Sequence, residues 1–155
     1  MATLYGVNAT LRDVNVPAEK IETKMDFGRL RVSYDEITLA AELTAADVIK
    51  CMKLPKGAKM YDAHLQSPQL GSAGGSGELD FGFEANGSDA ADPNAFLSAV
   101  EVGSAAANVR MSDDLTLAGN SFEFAEETQL IITANETTDA GIGDKIKVWV
   151  YYSLD

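Results

Sequence analysis

His64 and Cys51 are the single histidine and single cysteine of this 155-residue chain, and that scarcity bounds the chemistry open to it. A histidine-built metal centre gathers two or three imidazoles and a carboxylate, which one histidine cannot supply. By strand period His64 falls opposite Tyr61, Ala63 and Leu65, on the solvent side, and reads as an ordinary surface histidine. Cys51 lies mid-strand without a helix N-terminus or a paired base to lower its pKa, so a buried structural thiol is expected. Acids are plentiful, and for them distance decides. Asp80 and Glu84 share a face, yet four strand residues separate them by about 13 Å. Both glycosidase spacings, about 5–5.5 Å and about 6.5–9.5 Å, are shorter. Glu78 and Asp80, roughly 7 Å apart along the backbone, show the alternation of any solvated strand face. Asp89, Asp92 and Asn94 lack EF-hand spacing, and Asp92 is better used as a helix cap. No catalytic residue, cofactor or metal site is assigned, and no enzyme is expected.

The C-terminal strand carries the more telling pattern. Ile146, Val148, Val150, Tyr152 and Leu154 form one face; Lys145, Lys147, Trp149, Tyr151 and Ser153 form the other. Large aromatics on a wet face suggest a contact. Trp149 and Tyr151 suit a protein–protein interface, where such residues are favoured anchors. They also suit a stacking platform for sugar rings, or burial beneath other parts of the same subunit.

Hydrophobic residues make up 46% of the chain and charged ones 23%, a globular composition. The net charge of −12 is unevenly spread. Residues 1–60 hold nine Lys or Arg against eight Asp or Glu, and residues 61–155 hold three against sixteen. So acidic a surface repels phosphate backbones, so direct nucleic-acid binding is not expected. No stretch nears the roughly 18 apolar residues of a membrane span. The opening Met-Ala-Thr-Leu-Tyr-Gly lacks the basic and apolar regions of a secretory leader. Asn8, Asn86 and Asn135, each in an Asn-x-Ser/Thr match, are therefore read as chance.

Residues 1–27 read as a first strand or extended arm, and 28–155 as the folded domain. Leu30, Val32 and Tyr34 alternate with polar residues, and the apolar phase then slips to Ile37 and Leu39. A β-bulge near Asp35–Glu36 would explain that slip. Further strands are expected at Val48–Leu54, Lys59–Ser67, Glu78–Ala85, Phe122–Asn135 and Lys145–Leu154. Leu54-Pro55-Lys56-Gly57 suits a type I turn with proline second. The Gly-rich run 71–77 is a loop rather than a phosphate cradle, because no Gly-Lys-Ser/Thr follows. One helix is expected from Pro93 to Val100, capped by Asp92, with Phe96 and Val100 on one side. Residues 103–120 read mainly as loop. The sum is all-β: a two-sheet sandwich, jelly-roll-like, with one short helix.

The run Gly28-Arg-Leu-Arg-Val-Ser-Tyr34, then Ala46-Asp-Val-Ile49 and Leu54-Pro-Lys-Gly-Ala-Lys59, resembles auxiliary capsid proteins of tailed bacteriophages. Asp92-Pro-x-x-Phe-Leu97 and the C-terminal strand are similar too. The resemblance covers most of the chain and rests on structural motifs. It implies a non-enzymatic cement or decoration protein, made in the host cytoplasm and carried on the capsid exterior. Its partner would be the major capsid protein, and it would act as a homo-oligomer, trimer or dimer, bridging neighbouring shell subunits. In that setting Arg12, Lys20 and Lys24 would belong to an arm that touches neighbours, and Trp149 and Tyr151 to a subunit contact. The alternative is a carbohydrate- or receptor-binding sandwich accessory of a tail or fibre.

Overall fold

Alternation of inward and outward side chains organises the strands of the molecule, seen here in a computed structural model that describes residues 29–71, 77–114, 116–138 and 143–154. The strands are β1 (Arg29–Thr38), β2 (Val48–Leu54), β3 (Lys59–Ser67), β4 (Glu78–Phe83), β5 (Asp92–Glu101), β6 (Ala107–Arg110), β7 (Thr128–Ala134) and β8 (Lys145–Leu154). They form two four-stranded sheets, ordered β1-β8-β3-β6 and β2-β7-β4-β5. Every pairing within them is antiparallel. This strand order is that of a jelly roll, two Greek keys folded into a sandwich. The expected arm, with Arg12, Lys20 and Lys24, lies outside the described residues.

Between the sheets lies a core rich in phenylalanine. Phe81, Phe83, Phe96 and Phe124 are buried there, with Leu54, Met60, Leu65, Leu130, Ile132, Val148 and Val150. Phe83 meets Phe124 edge to face at 5.1 Å, and Phe81 meets Phe96 at 5.4 Å. Each such side chain supplies about 1.5–3 kcal/mol of burial before entropy is counted.

Several expectations are corrected. Pro93–Val100 is not a helix but part of β5, and among the described residues the only helical turn is a 3-10 turn at Met111–Asp113. Residues four apart share a face of a strand as they do of a helix, so the spacing of Phe96 and Val100 does not separate the two, and β5 is in addition bulged. Leu79 pairs with Val100 and Phe81 with Leu97, so β5 spends one residue more than β4 across that interval. Asp80 holds the bulge: its carboxylate accepts the Ala99 amide at 2.7 Å, and Ala99 takes a φ of +50°. Asp80 is therefore buried, at 9% exposure, rather than on a solvated face. A second bulge, between Phe81 and Phe83, brings β5 directly over Gly82. A Cβ on Gly82 would stand 2.1 Å from the Asp92 carbonyl oxygen, so only glycine fits.

No bulge occurs at Asp35–Glu36, because β1 pairs with β8 without a shift from Arg29 to Thr38. The inward set is instead Ser33, Asp35 and Ile37, continuing to buried Leu39, while Leu30, Val32 and Tyr34 point outward. Residues 103–120 also contain a strand, β6. The turn after β2 runs one residue later than expected: Ala58 donates to the Pro55 carbonyl at 3.1 Å. Gly57, at φ +79°, takes the third position, as a type II turn requires.

Candidate functional site

Strand β8 lies between β1 and β3, so its outward side chains have cross-strand neighbours on both sides. The register sets Trp149 opposite Tyr34 and His64, and Tyr151 opposite Val32 and Asp62. Residues directly opposite share a face and touch. Trp149 thus stands between Tyr34, with ring centroids 5.1 Å apart, and His64, at 4.9 Å and nearly parallel. The Arg110 guanidinium sits 5.5 Å from the centre of the Tyr151 ring. His64 is hydrogen-bonded to Asn108 across to β6. Trp149, Tyr151 and His64 are each half-buried.

The expectation that Trp149 and Tyr151 share the outward face of β8 is met, and Ile146, Val148, Val150 and Tyr152 are buried opposite them. His64 is on the same outward face but packs into the aromatic row. Tyr61, expected opposite His64, joins it instead. A bulge between Met60 and Asp62 turns Tyr61 outward, where its hydroxyl lies 3.2 Å from that of Ser153.

Sequence reasoning missed the rest of the face. Leu30, Val32 and Tyr34 are 63%, 54% and 49% exposed, and they extend the aromatic row to the sheet edge. The signal was present: setting the phase of β1 from Ile37 and Leu39 alone would have placed them outside.

Charge on this face is neutralised locally. Glu36 binds Lys145 at 2.5 Å and Lys147 at 3.8 Å, and Asp62 binds Arg110 at 2.9 Å. The Lys145 hydrogen bond is the main cause that holds the Glu36 carboxyl below its ordinary value, and Glu36 in turn raises Lys145. The Tyr34 phenol is raised, first by desolvation and then by the nearby Glu36 charge. Three cations thus meet two carboxylates on a chain whose net charge is −12.

The other candidate groups are spent on structure. Burial pushes the Cys51 thiol up to about 12. The Asp89 carboxylate accepts from the Asn86 amide at 2.6 Å and the Ala125 backbone at 2.9 Å, which fastens a loop. Asp92 pairs with Phe83 in the sheet and caps no helix. An open cleft of about 560 Å³ at one end of the first sheet is lined by Gln66, Asn108, Asp144, Lys145 and Lys147 among others. Among the described residues, no three His, Cys, Asp or Glu side chains group to hold a metal.

A sugar platform needs an open ring face. The two flanks of Trp149 are occupied by Tyr34 and His64 of the same chain.

The fold defines a class: a jelly-roll sandwich, with eight strands among the described residues and an aromatic outer face whose charges are paired. No protein-family model and no curated protein matches the chain. Among solved structures, it is similar to a chain of the capsid of Ralstonia phage GP4, at TM-score 0.69 and 20% identity over 84% of this chain and 88% of that one. It is also similar to a chain of the cyanophage Pam1 capsid asymmetric unit, at 0.66 and 21% over 91% and 96%. A chain of the acid-stable capsid of Helicobacter pylori bacteriophage KHP30 matches at 0.51 and 16%, over 81% and 87%. What is shared at such identities is the fold, and it is a fold found in the capsids of three phages.

Proposed function

We propose that the chain is a non-enzymatic structural protein of a phage virion, a cement protein that binds the outside of the major capsid shell and braces it. The observation carrying this reading is the outer face of β1, β8, β3 and β6: a row of apolar and aromatic side chains whose neighbouring charges are paired, on a strongly acidic molecule. Charge of one sign elsewhere keeps particles apart, while a neutral aromatic face can approach another protein without uncompensated desolvation. Kinship of fold with chains from three phage capsids supports the same reading.

Bracing follows from geometry rather than strong single contacts. A body that touches two shell subunits at once makes the second contact intramolecular, so modest patches bind tightly. Pulling the subunits apart must then break both contacts, which resists pressure from packaged DNA. Residues 1–27, with Arg12, Lys20 and Lys24, are proposed to reach an adjoining subunit.

The test is the rupture temperature of emptied, expanded shells of the parent virus, with and without purified chain. The expected result is a rise that saturates with added protein. Unchanged rupture despite bound protein would remove the bracing role. Equal binding by a chain lacking residues 2–20 would remove the arm.

A further inference from the structure

We propose that β1 pairs with β1 of a second copy, antiparallel, about a two-fold axis through Val32. Strand β1 is the edge of its sheet; β8 takes one side along all ten residues, and no strand among the described residues takes the other. Such an edge offers a row of free backbone donors and acceptors to an added strand.

The sequence of β1 is its own complement. With the axis at Val32, Val32 faces its copy, Leu30 faces Tyr34, Arg31 faces Ser33, and Arg29 faces Asp35. Parity is kept, because in an antiparallel pair opposite residues share a face and Leu30, Val32 and Tyr34 all point outward. The neighbouring axes are worse. Centred on Ser33, Leu30 would face Glu36, which Lys145 and Lys147 already bind. Centred on Arg31, two arginines would meet. Charges that point inward at an edge often guard against pairing. Here Arg29 and Asp35 would instead neutralise each other across the joint.

The pairing would create one eight-stranded sheet with a continuous outer row, in which Leu30 of one copy joins Tyr34 and Trp149 of the other. The self-matching surface closes with two copies. This goes beyond the capsid reading and stands or falls without it.

The experiment is light scattering with sedimentation on the full chain at tens of micromolar. The expected mass is twice the 16.5 kDa of one chain. Val32→Lys sets like charges at the axis and should raise the dissociation constant at least about tenfold. Arg29→Asp and Asp35→Arg should each weaken the dimer, and the double variant should restore it. Val32→Cys, with Cα atoms about 4.5–5.5 Å apart across the axis, should oxidise to a covalent dimer. A wild-type monomer, a trimer, or a dimer indifferent to Val32→Lys would each overturn the inference. So would a double variant no stronger than its parents. A monomer that dimerises only after residues 2–28 are removed would assign the edge to the chain's own N-terminal segment, also overturning it.

Discussion

The imidazole of His64 lies nearly parallel to the indole of Trp149, with ring centroids 4.9 Å apart and planes 21° from each other. Tyr34 stands on the other flank of the same indole, so three strands are tied across their outer face by one aromatic row. Such pairs add about 0.5–1.5 kcal/mol each beyond area burial.

Trp149→Ala should therefore destabilise the fold by about 1–3 kcal/mol while leaving it assembled. Denaturant unfolding measures the loss. A double-mutant cycle with Tyr34→Ala should show a coupling above about 0.5 kcal/mol, and strict additivity would mean the rings do not interact.

Asp80 and Gly82 answer to the bulges of β5. Asp80→Ala should cost about 1–3 kcal/mol, because the Ala99 amide loses its acceptor, and Asp80→Asn should recover most of that. Gly82→Ala should cost more than about 3 kcal/mol, since its Cβ would meet backbone rather than a flexible side chain. Thermal melts of the three variants check the order. A tolerated Gly82→Ala would mean β5 crosses elsewhere.

Cys51 should be nearly inert in the native state. With its thiol pushed up to about 12 from an ordinary 9.0, alkylation at pH 8 should run at least about a hundredfold slower than in denatured protein. Mass spectrometry of timed iodoacetamide reactions gives the ratio, and equal rates would contradict the burial.

Glu36 gives a pH dependence of definite sign. Lys145 lowers its folded pKa, so the stability it adds is fully present above the ordinary value of 4.5 and is lost as pH falls through the lower folded value. The stability difference between wild type and Glu36→Gln should be flat near neutrality and shrink toward zero in that acid window. Because Glu36 is at the surface, the effect should also fade with added salt. A difference that grew on acidification would reverse the assignment.

Much of the fold was legible because period-two alternation is a local signal, as in β8, where every inward residue was placed correctly. The failures concern where bulges fall. In β5 they went unread, because the four-residue spacing of Phe96 and Val100 suits a helix face as well as a strand face, and a proline after an aspartate imitates a capped helix start. The opposite error occurred in β1, where a bulge was invoked to bury Leu30, Val32 and Tyr34 although the strand is regular. Periodicity shows which residues share a face, but not which face is dry. That assignment depends on long-range contacts, because Tyr34 learns its environment from β8, more than a hundred residues away. The Trp149 and Tyr151 half of the site was readable directly; the β1 half was readable only by setting its phase from Ile37 and Leu39.

The most direct measurement is co-sedimentation of the full chain with emptied, expanded shells of its parent virus, comparing wild type with Tyr34→Glu and with a second-sheet control, Lys53→Glu. Wild type and Lys53→Glu should bind saturably and alike, while Tyr34→Glu, which puts a charge on the aromatic face, should lose at least about tenfold in affinity. Wild type that fails to bind, or Tyr34→Glu that binds as well as wild type, would contradict the account.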